Sequence, residues 1–254
     1  MKKDIPKIIH YCWFGGNPLP SKAKKCIESW KEYFPEYEIK EWNESNFDFK
    51  SVPYARDAYE SRKFAFVSDY ARFWILYNFG GIYFDTDVKV IKSFDDILAR
   101  GPFMGRELTI EEADRIGTIG VAAGLGIGCY PHHPFYKKMV ELYNSLDFKN
   151  KDNEAQPKTV VEYVSEKLME VGLKNTGDIQ IIDGIYIYPS DYFCPISPVD
   201  MKMRKTGNTH SIHEFSASWI PSKRRKILRF GKKYPRIMRV LLMIKHFFDG
   251  TRPL

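Results

Sequence analysis

The sequence predicts an α/β domain with a doubly wound sheet, followed by a basic helical tail. Three observations carry that reading. Stretches with strand and helix periodicity alternate from Ile5 to Ile91, the order that builds a sheet covered on both faces. The longest apolar run, Phe64 to Ile91, passes through Gly80-Gly81 into Asp85-Thr86-Asp87. At Ser222 the composition turns abruptly basic.

The elements follow in order. Ile5 to Phe14 is nearly continuous in apolar character, as a buried parallel strand should be, and ends in Gly15-Gly16. A glycine pair at that point lets the backbone approach a ligand closely. Pro20 to Phe34 is an amphipathic helix with Ala23, Ile27 and Trp30 inward, and Tyr37 to Trp42 alternates like a strand. Asn43 to Arg56 reads as loop, with a short helix starting at Ala55. In the central helix Phe66, Val67, Tyr70, Ala71, Phe73, Trp74 and Tyr77 keep a helical period, and Gly80 is the expected left-handed stop. Ile82 to Phe84 is then a strand, and Val88 to Ile91 continues it. Phe94 to Ala99 forms a helical turn and Pro102 to Gly105 a strand, while residues 107–118 read as polar and mobile. Ile119 to Gly128 is rich in small residues, which suits tight strand packing or a backbone that passes close beneath a ligand. His132 and His133 sit in a loop and take no ligand role. Helices follow over Phe135 to Leu146 and Val160 to Val171, separated by a charged loop, Asp147 to Lys158. Asp183-Gly184 between Ile179–Ile182 and Ile185–Tyr188 is a strong hairpin signal, and Tyr192 to Pro195 follows as an apolar loop.

The chemistry concentrates at two places. Residues i and i+2 of an extended strand point the same way, so Asp85 and Asp87 converge on one spot while Thr86 faces away. Two hard oxygen donors at a strand end suit Mn²⁺ or Mg²⁺ completed by water and phosphate oxygens, and hence a diphosphate. Ser68, Asp69 and Arg72 form the second group. Asp69 and Arg72 share a helix face, which by itself is equally an intrahelical ion pair of about 0.2–0.5 kcal/mol. Their neighbours are aromatic and aliphatic, however, and a charged pair in such company needs a further partner.

SDYAR followed by GGIYFDTD resembles the paired SDxxR and GGxYxDxD signature of glycosyltransferase family 32, a pattern shared with the large glucosylating toxins. IPKIIHYCWFGG and HSIHEFSASW agree with it, so the resemblance spans roughly residues 5 to 220. It implies a GT-A-like nucleotide-sugar-binding domain with a central mostly parallel sheet over residues 1–221. It also implies transfer, with retention of configuration, from a nucleotide-diphosphate sugar, UDP-linked by analogy with the toxins, to a glycan or lipid-linked glycan acceptor, as in capsule or other surface polysaccharide synthesis. Asp85 and Asp87 then face the metal, and Ser68, Asp69 and Arg72 hold the donor sugar. Trp13 stacks on the base, and Ala123 with Gly124 floors the donor pocket. Ser218 and Trp219 contact phosphate and leaving oxygen, and His213 completes the metal shell. Glu214 stands where the family often has an aromatic residue or histidine, which leaves His213 and Glu214 as alternatives for that ligand.

Charge limits the competing functions. Net charge is +7 over 254 residues, yet eleven of the 39 Lys and Arg and one of the 32 acids lie from Ser222 onward, leaving 28 bases against 31 acids in residues 1–221. The body is mildly acidic, so no nucleic-acid partner is expected. Residues 222–254 interleave bases with apolar residues and break at Pro235 into two amphipathic helices, a pattern for an anionic membrane face. The four scattered cysteines read as reduced structural thiols. Asp4, Pro6 and His10 interrupt any signal-peptide pattern, and no run is long enough to cross a bilayer. The expected location is therefore cytoplasmic, peripheral on the inner membrane face. The rivals are a metal-dependent phosphohydrolase, which needs further ligands for a second metal, and a non-enzymatic basic membrane- or nucleic-acid-binding protein, which accounts for the tail alone.

Overall fold

The computed structural model describes residues 4–149 and 158–216. The chain opens with β1 (Ile8–Cys12), α1 (Ser21–Tyr33) and β2 (Glu38–Trp42), a βαβ unit whose two strands pair in parallel with Ile9 opposite Ile39. Next come α2 (Pro53–Glu60), with proline in its first turn, and the long α3 (Phe64–Phe79), which feeds β3 (Gly81–Tyr83) alongside β1. β4 (Val88–Val90) does not extend β3 within the sheet, as the sequence led one to expect. It leaves to pair antiparallel with β10 (Ser211–His213).

A short helix α4 (Asp95–Leu98) leads to β5 (Phe103–Arg106). The supposedly mobile residues 107–118 hold a helix, α5 (Ile110–Ile116). Its start is a capping box: the Thr109 hydroxyl accepts from the Glu112 amide while Glu112 accepts from the Thr109 amide. That Thr-x-x-Glu pattern was readable in the sequence and outweighs the polarity of the segment. β6 (Val121–Ala122) and β7 (Ile127–Cys129) follow, then α6 (Pro134–Ser145), capped by His133, and α7 (Val160–Met169). β8 (Gln180–Ile182) and β9 (Ile185–Tyr188) form the expected hairpin, with Asp183 and Gly184 both at positive φ. Tyr192 and Phe193, read as the start of an apolar loop, instead end a single helical turn, α8 (Ser190–Phe193).

The sheet order is β2-β1-β3-β7-β5-β9-β8, with β6 beside β5. β1, β2, β3, β5 and β9 run in one direction and β7 and β8 against them, which makes the sheet mostly parallel. Strand alternation feeds a core on each face. Ile9, Tyr11, Ile82 and Phe84 enter one with Trp30 and Phe34 of the α1 region, while Cys12 and Tyr83 enter the other with α2, α3 and α6. All four cysteines are buried and free. No helix among the described residues is long and apolar enough to cross a membrane. Residues 222–254, Ser218 and Trp219, and most of the 147–158 loop lie outside the described residues.

Candidate active site

α3 is apolar nearly all round, and the polar pair Asp69 and Arg72 is buried with it. The Arg72 guanidinium lies 2.9 Å from Asp69 Oδ1 and 3.4 Å from Asp85 Oδ1, donates from Nε to the Ser68 carbonyl, and rests over the Tyr83 ring. Asp85 is thus the further partner that the apolar surroundings demanded. Burial pushes the Asp69 carboxyl up to about 7, with Arg72 opposing and Asp85 adding to the shift. The Arg72 guanidinium is held charged, because Asp85, Tyr83 and Asp69 together outweigh its burial. Ser68 does not reach outward from this group, since its hydroxyl donates to the Phe64 carbonyl at 3.2 Å.

The turn from α3 into β3 fixes where the carboxylates arrive. Gly80 has φ 63° and ψ −154°, which is not the left-handed helical stop expected, and a Cβ there would strike Pro131 at 2.7 Å. His10 locks the turn from below. Its Nδ1 accepts from the Trp42 indole and its Nε2 donates to the Gly80 carbonyl, and burial lowers its pKa to about 4 so that it stays neutral. This tautomer follows from the indole being a donor only.

Asp85 and Asp87 converge for a different reason than strand alternation. β3 ends at Tyr83, and Thr86-Asp87 form a turn closed by the Val88 amide on the Asp85 carbonyl at 3.0 Å. The turn brings Asp85, Asp87 and His213 together, with one ligand atom of each within 4.8 Å of the others. His213 arrives because β10 pairs with β4 at Val88, and its Nε2 lies 3.1 Å from Asp87 Oδ1. Burial alone would lower the His213 pKa, but the Asp87 carboxylate, aided by the Cys194 thiol, carries it well above the usual imidazole value. The neighbouring Glu214 pairs instead with Lys22 at 3.3 Å, and only its amide reaches Asp87. Of the two residues, it is His213 whose side chain lies with the carboxylate pair. Two carboxylates and an imidazole form a donor set that fits a divalent cation completed by oxygen ligands.

Ala123 and Gly124 occupy the turn between β6 and β7, where the Gly124 carbonyl accepts from the Asp85 amide at 3.1 Å. Trp13 sits at the carboxyl end of β1, partly buried, with its indole N–H donating to the Asn17 carbonyl. Of the glycines beside it, Gly16 has open space where a side chain would stand, while at Gly15 the Phe64 ring fills that space.

Two residues escaped the sequence reading. Tyr83 donates its hydroxyl to Asp85 Oδ1 at 3.1 Å, and its position in the GGxYxDxD pattern was the available signal. Glu107 lies immediately beyond β5, partly buried, and is electrostatically coupled to His213. Burial pushes its carboxyl up to about 6, against the pull of His213.

Residues 20–104, which contain SDYAR and the Asp85-Asp87 turn, match the family model described as the glycosyltransferase sugar-binding region containing a DXD motif. An uncharacterized glycosyltransferase of Acanthamoeba polyphaga mimivirus is 26% identical over 91% of this chain and 90% of its own length. The matches are to glycosyltransferases, and the DXD region is the part of this chain that the family model covers. The chain is also 34% identical, over 37% of its length, to inositol phosphoceramide mannosyltransferase 3 of Schizosaccharomyces pombe, of which it spans only 27%. Among solved structures, the PaToxG glycosyltransferase superposes with a TM-score of 0.50 at 20% identity, over 67% of this chain and 72% of that one, and this likeness speaks to the fold.

Proposed function

We propose that the transferase moves a sugar from a nucleotide-diphosphate donor, UDP-linked by preference, to a hydroxyl of a glycan or lipid-linked glycan, with Mn²⁺ or Mg²⁺ held by Asp85, Asp87 and His213. The observation that carries the reading is the junction of that ligand set with the buried Asp69–Arg72 pair through Asp85. The cation supplies positive charge against the diphosphate as it leaves. Asp69 and Arg72 grip donor-sugar hydroxyls by charge-assisted hydrogen bonds, Tyr83 steadies Asp85, and Gly124 leaves room for the Asp85 carboxylate beside the donor-pocket floor that it forms with Ala123. In this reading Trp13 stacks on the base and Ser218 and Trp219 contact phosphate and leaving oxygen, with retention of configuration, as the resemblance implies. Residues 222–254 form a separate membrane-docking segment after the 1–221 domain and hold the enzyme on the cytoplasmic face, where surface polysaccharide is assembled.

The rival phosphohydrolase reading is weaker, because a two-metal site needs a second ligand set and the described residues offer one such group. Calorimetry of nucleoside diphosphates with and without Mn²⁺, followed by a screen of nucleotide sugars for metal-dependent hydrolysis, tests the proposal. Nucleotide binding indifferent to the metal would overturn it.

A further inference from the structure

Trp13 has one polar group, and it is already committed. The indole N–H donates to the Asn17 carbonyl at 2.5 Å, and the Asn17 side-chain amide donates back to the Gly15 carbonyl at 3.3 Å. Indole is a donor only, so the ring has its faces left to offer a ligand, and its orientation is tied to the backbone of Gly15 and Asn17.

That backbone is held from outside the loop. The Gly15 amide donates to Glu44 Oε1 at 2.5 Å, and the Tyr59 hydroxyl donates to the same oxygen at 3.0 Å. Glu44 stands on a fixed turn beyond β2, because the Asn46 side chain accepts from the Asn43 amide at 2.9 Å and donates to the Glu41 carbonyl at 2.8 Å. Tyr59 belongs to α2, where its ring stacks on Phe49 at 4.2 Å and meets Phe64, the ring that fills the side-chain space of Gly15. Gly15, at φ 100°, is thus hydrogen-bonded to Glu44 and packed on Phe64, a fit that no larger residue would allow.

The place of this loop in the sheet gives the clasp its meaning. β1 has β2 on one side and β3 on the other, and all three run the same way. The strand order therefore reverses at β1, and the loop after it lies at the switch point where open α/β sheets take nucleotides. The Asp85 turn follows the neighbouring β3, and Phe64 opens α3, the helix that carries Asp69 and Arg72.

We infer that Glu44, together with Tyr59, is a positioning residue for the nucleobase: through the Gly15 amide it sets the Trp13 ring on which the base of the donor stacks. The inference rests on the stacking role proposed for Trp13 and adds the groups that hold that ring in place.

The test uses the full chain, Mn²⁺ and whichever of UDP-glucose, UDP-galactose and GDP-mannose the parent hydrolyses fastest. Trp13→Ala should weaken binding of the matching nucleoside diphosphate roughly fivefold or more, as the loss of a stacked base requires. Glu44→Ala should raise that Kd and the donor KM by a similar factor with kcat within about twofold of the parent, because a misplaced ring weakens ground state and transition state alike. Glu44→Gln keeps an oxygen acceptor for both donors and should stay within about twofold of the parent in Kd. In the Trp13→Ala background, Glu44→Ala should add less than about twofold, since a residue that acts through the ring then has nothing to act on. Parental affinity in Glu44→Ala would overturn the inference, and so would a Glu44→Gln loss as large as that of Glu44→Ala. An additive loss in the double variant would overturn it by placing Glu44 directly on the ligand, and a fall of kcat in step with affinity by making its role a general structural one. Parental affinity in Trp13→Ala would instead sink the stacking role, and a parent that binds no nucleoside diphosphate with Mn²⁺ the transfer reading itself, and this inference with either.

Discussion

The carboxylate of Asp85 lies directly over Gly124: a Cβ placed on that glycine would fall 2.1 Å from Asp85 Oδ2. The contact is reciprocal, because the Gly124 carbonyl accepts from the Asp85 amide. A methyl group at 124 must therefore displace the carboxylate that both Arg72 and Tyr83 hold. Gly124→Ala is expected to lower the affinity for nucleoside diphosphate with Mn²⁺ at least tenfold, with the far-ultraviolet circular dichroism unchanged. Parental affinity would show that Asp85 has room to move aside without consequence.

Asp85→Asn and Asp87→Asn test the ligand set from the other direction. Each keeps the side chain's shape and removes one charge, so both should abolish metal-dependent nucleotide binding and turnover. Asp87→Asn has a second signature, since Asp87 is the main group raising the His213 pKa and its loss should bring that pKa down. Calorimetry with and without Mn²⁺, together with a titration of the His213 ring by nuclear magnetic resonance, measures both effects. If both variants bind the metal and nucleotide as the parent does, the cation is held elsewhere.

Much of this site was legible in the sequence, and the parts that were not share a cause. Asp69, Arg72, Asp85, Asp87 and His213 were found because local spacing or family pattern marks them. The reason Asp85 and Asp87 converge was misread, because nothing local shows that β3 stops at Tyr83 and a turn begins. β4 was placed in the wrong sheet for a similar reason: its partner β10 lies more than a hundred residues away, and only that pairing takes it out of the main sheet. Glu107 was lost in a polar stretch whose helix start, Thr109 to Glu112, was overlooked. Continuous apolar character, by contrast, marked a strand buried on both faces, as with Ile5 to Phe14, whose Ile9 and Tyr11 enter one core and Cys12 the other.

The tail prediction separates lipid from nucleic acid. Both partners would weaken with salt, so salt dependence does not decide between them. Leu241→Glu with Phe247→Glu should release the full-length protein from anionic vesicles, since insertion into lipid draws on the apolar residues of the segment, whereas a phosphate-binding arm would need only the bases. Vesicle co-sedimentation and a DNA gel-shift on the same variant read the two outcomes. Undiminished vesicle binding would remove lipid insertion by this face from consideration.

Asp69 makes stability depend on pH in a stated direction. Its ordinary value is 3.8 and its folded value is about 7, so between these the native state holds a proton that the unfolded chain has released. Unfolding free energy must then fall as pH rises through that window. Asp69→Asn removes the titration, so denaturant midpoints of the metal-free variant should lose this downward slope between about pH 4 and pH 7. Parallel curves for variant and parent would mean that Arg72 keeps Asp69 ionised throughout.

Arg72→Lys distinguishes a catalytic grip from an ion pair that merely stabilises α3. A lysine would preserve the charge between Asp69 and Asp85 but not the Nε contact to the Ser68 carbonyl, the guanidinium contact over the Tyr83 ring or the fork that reaches two carboxylates at once. An ion pair with a purely local role would tolerate the exchange at a modest cost in stability. A group that orients the donor sugar would not, because an error in geometry at the reacting end lowers turnover while binding of the nucleoside diphosphate, which lacks the sugar, is spared. Turnover is therefore expected to drop at least tenfold with nucleoside diphosphate affinity within about twofold of the parent. Steady-state hydrolysis set beside calorimetry gives both numbers, and near-parental turnover would remove Arg72 from the donor-binding machinery.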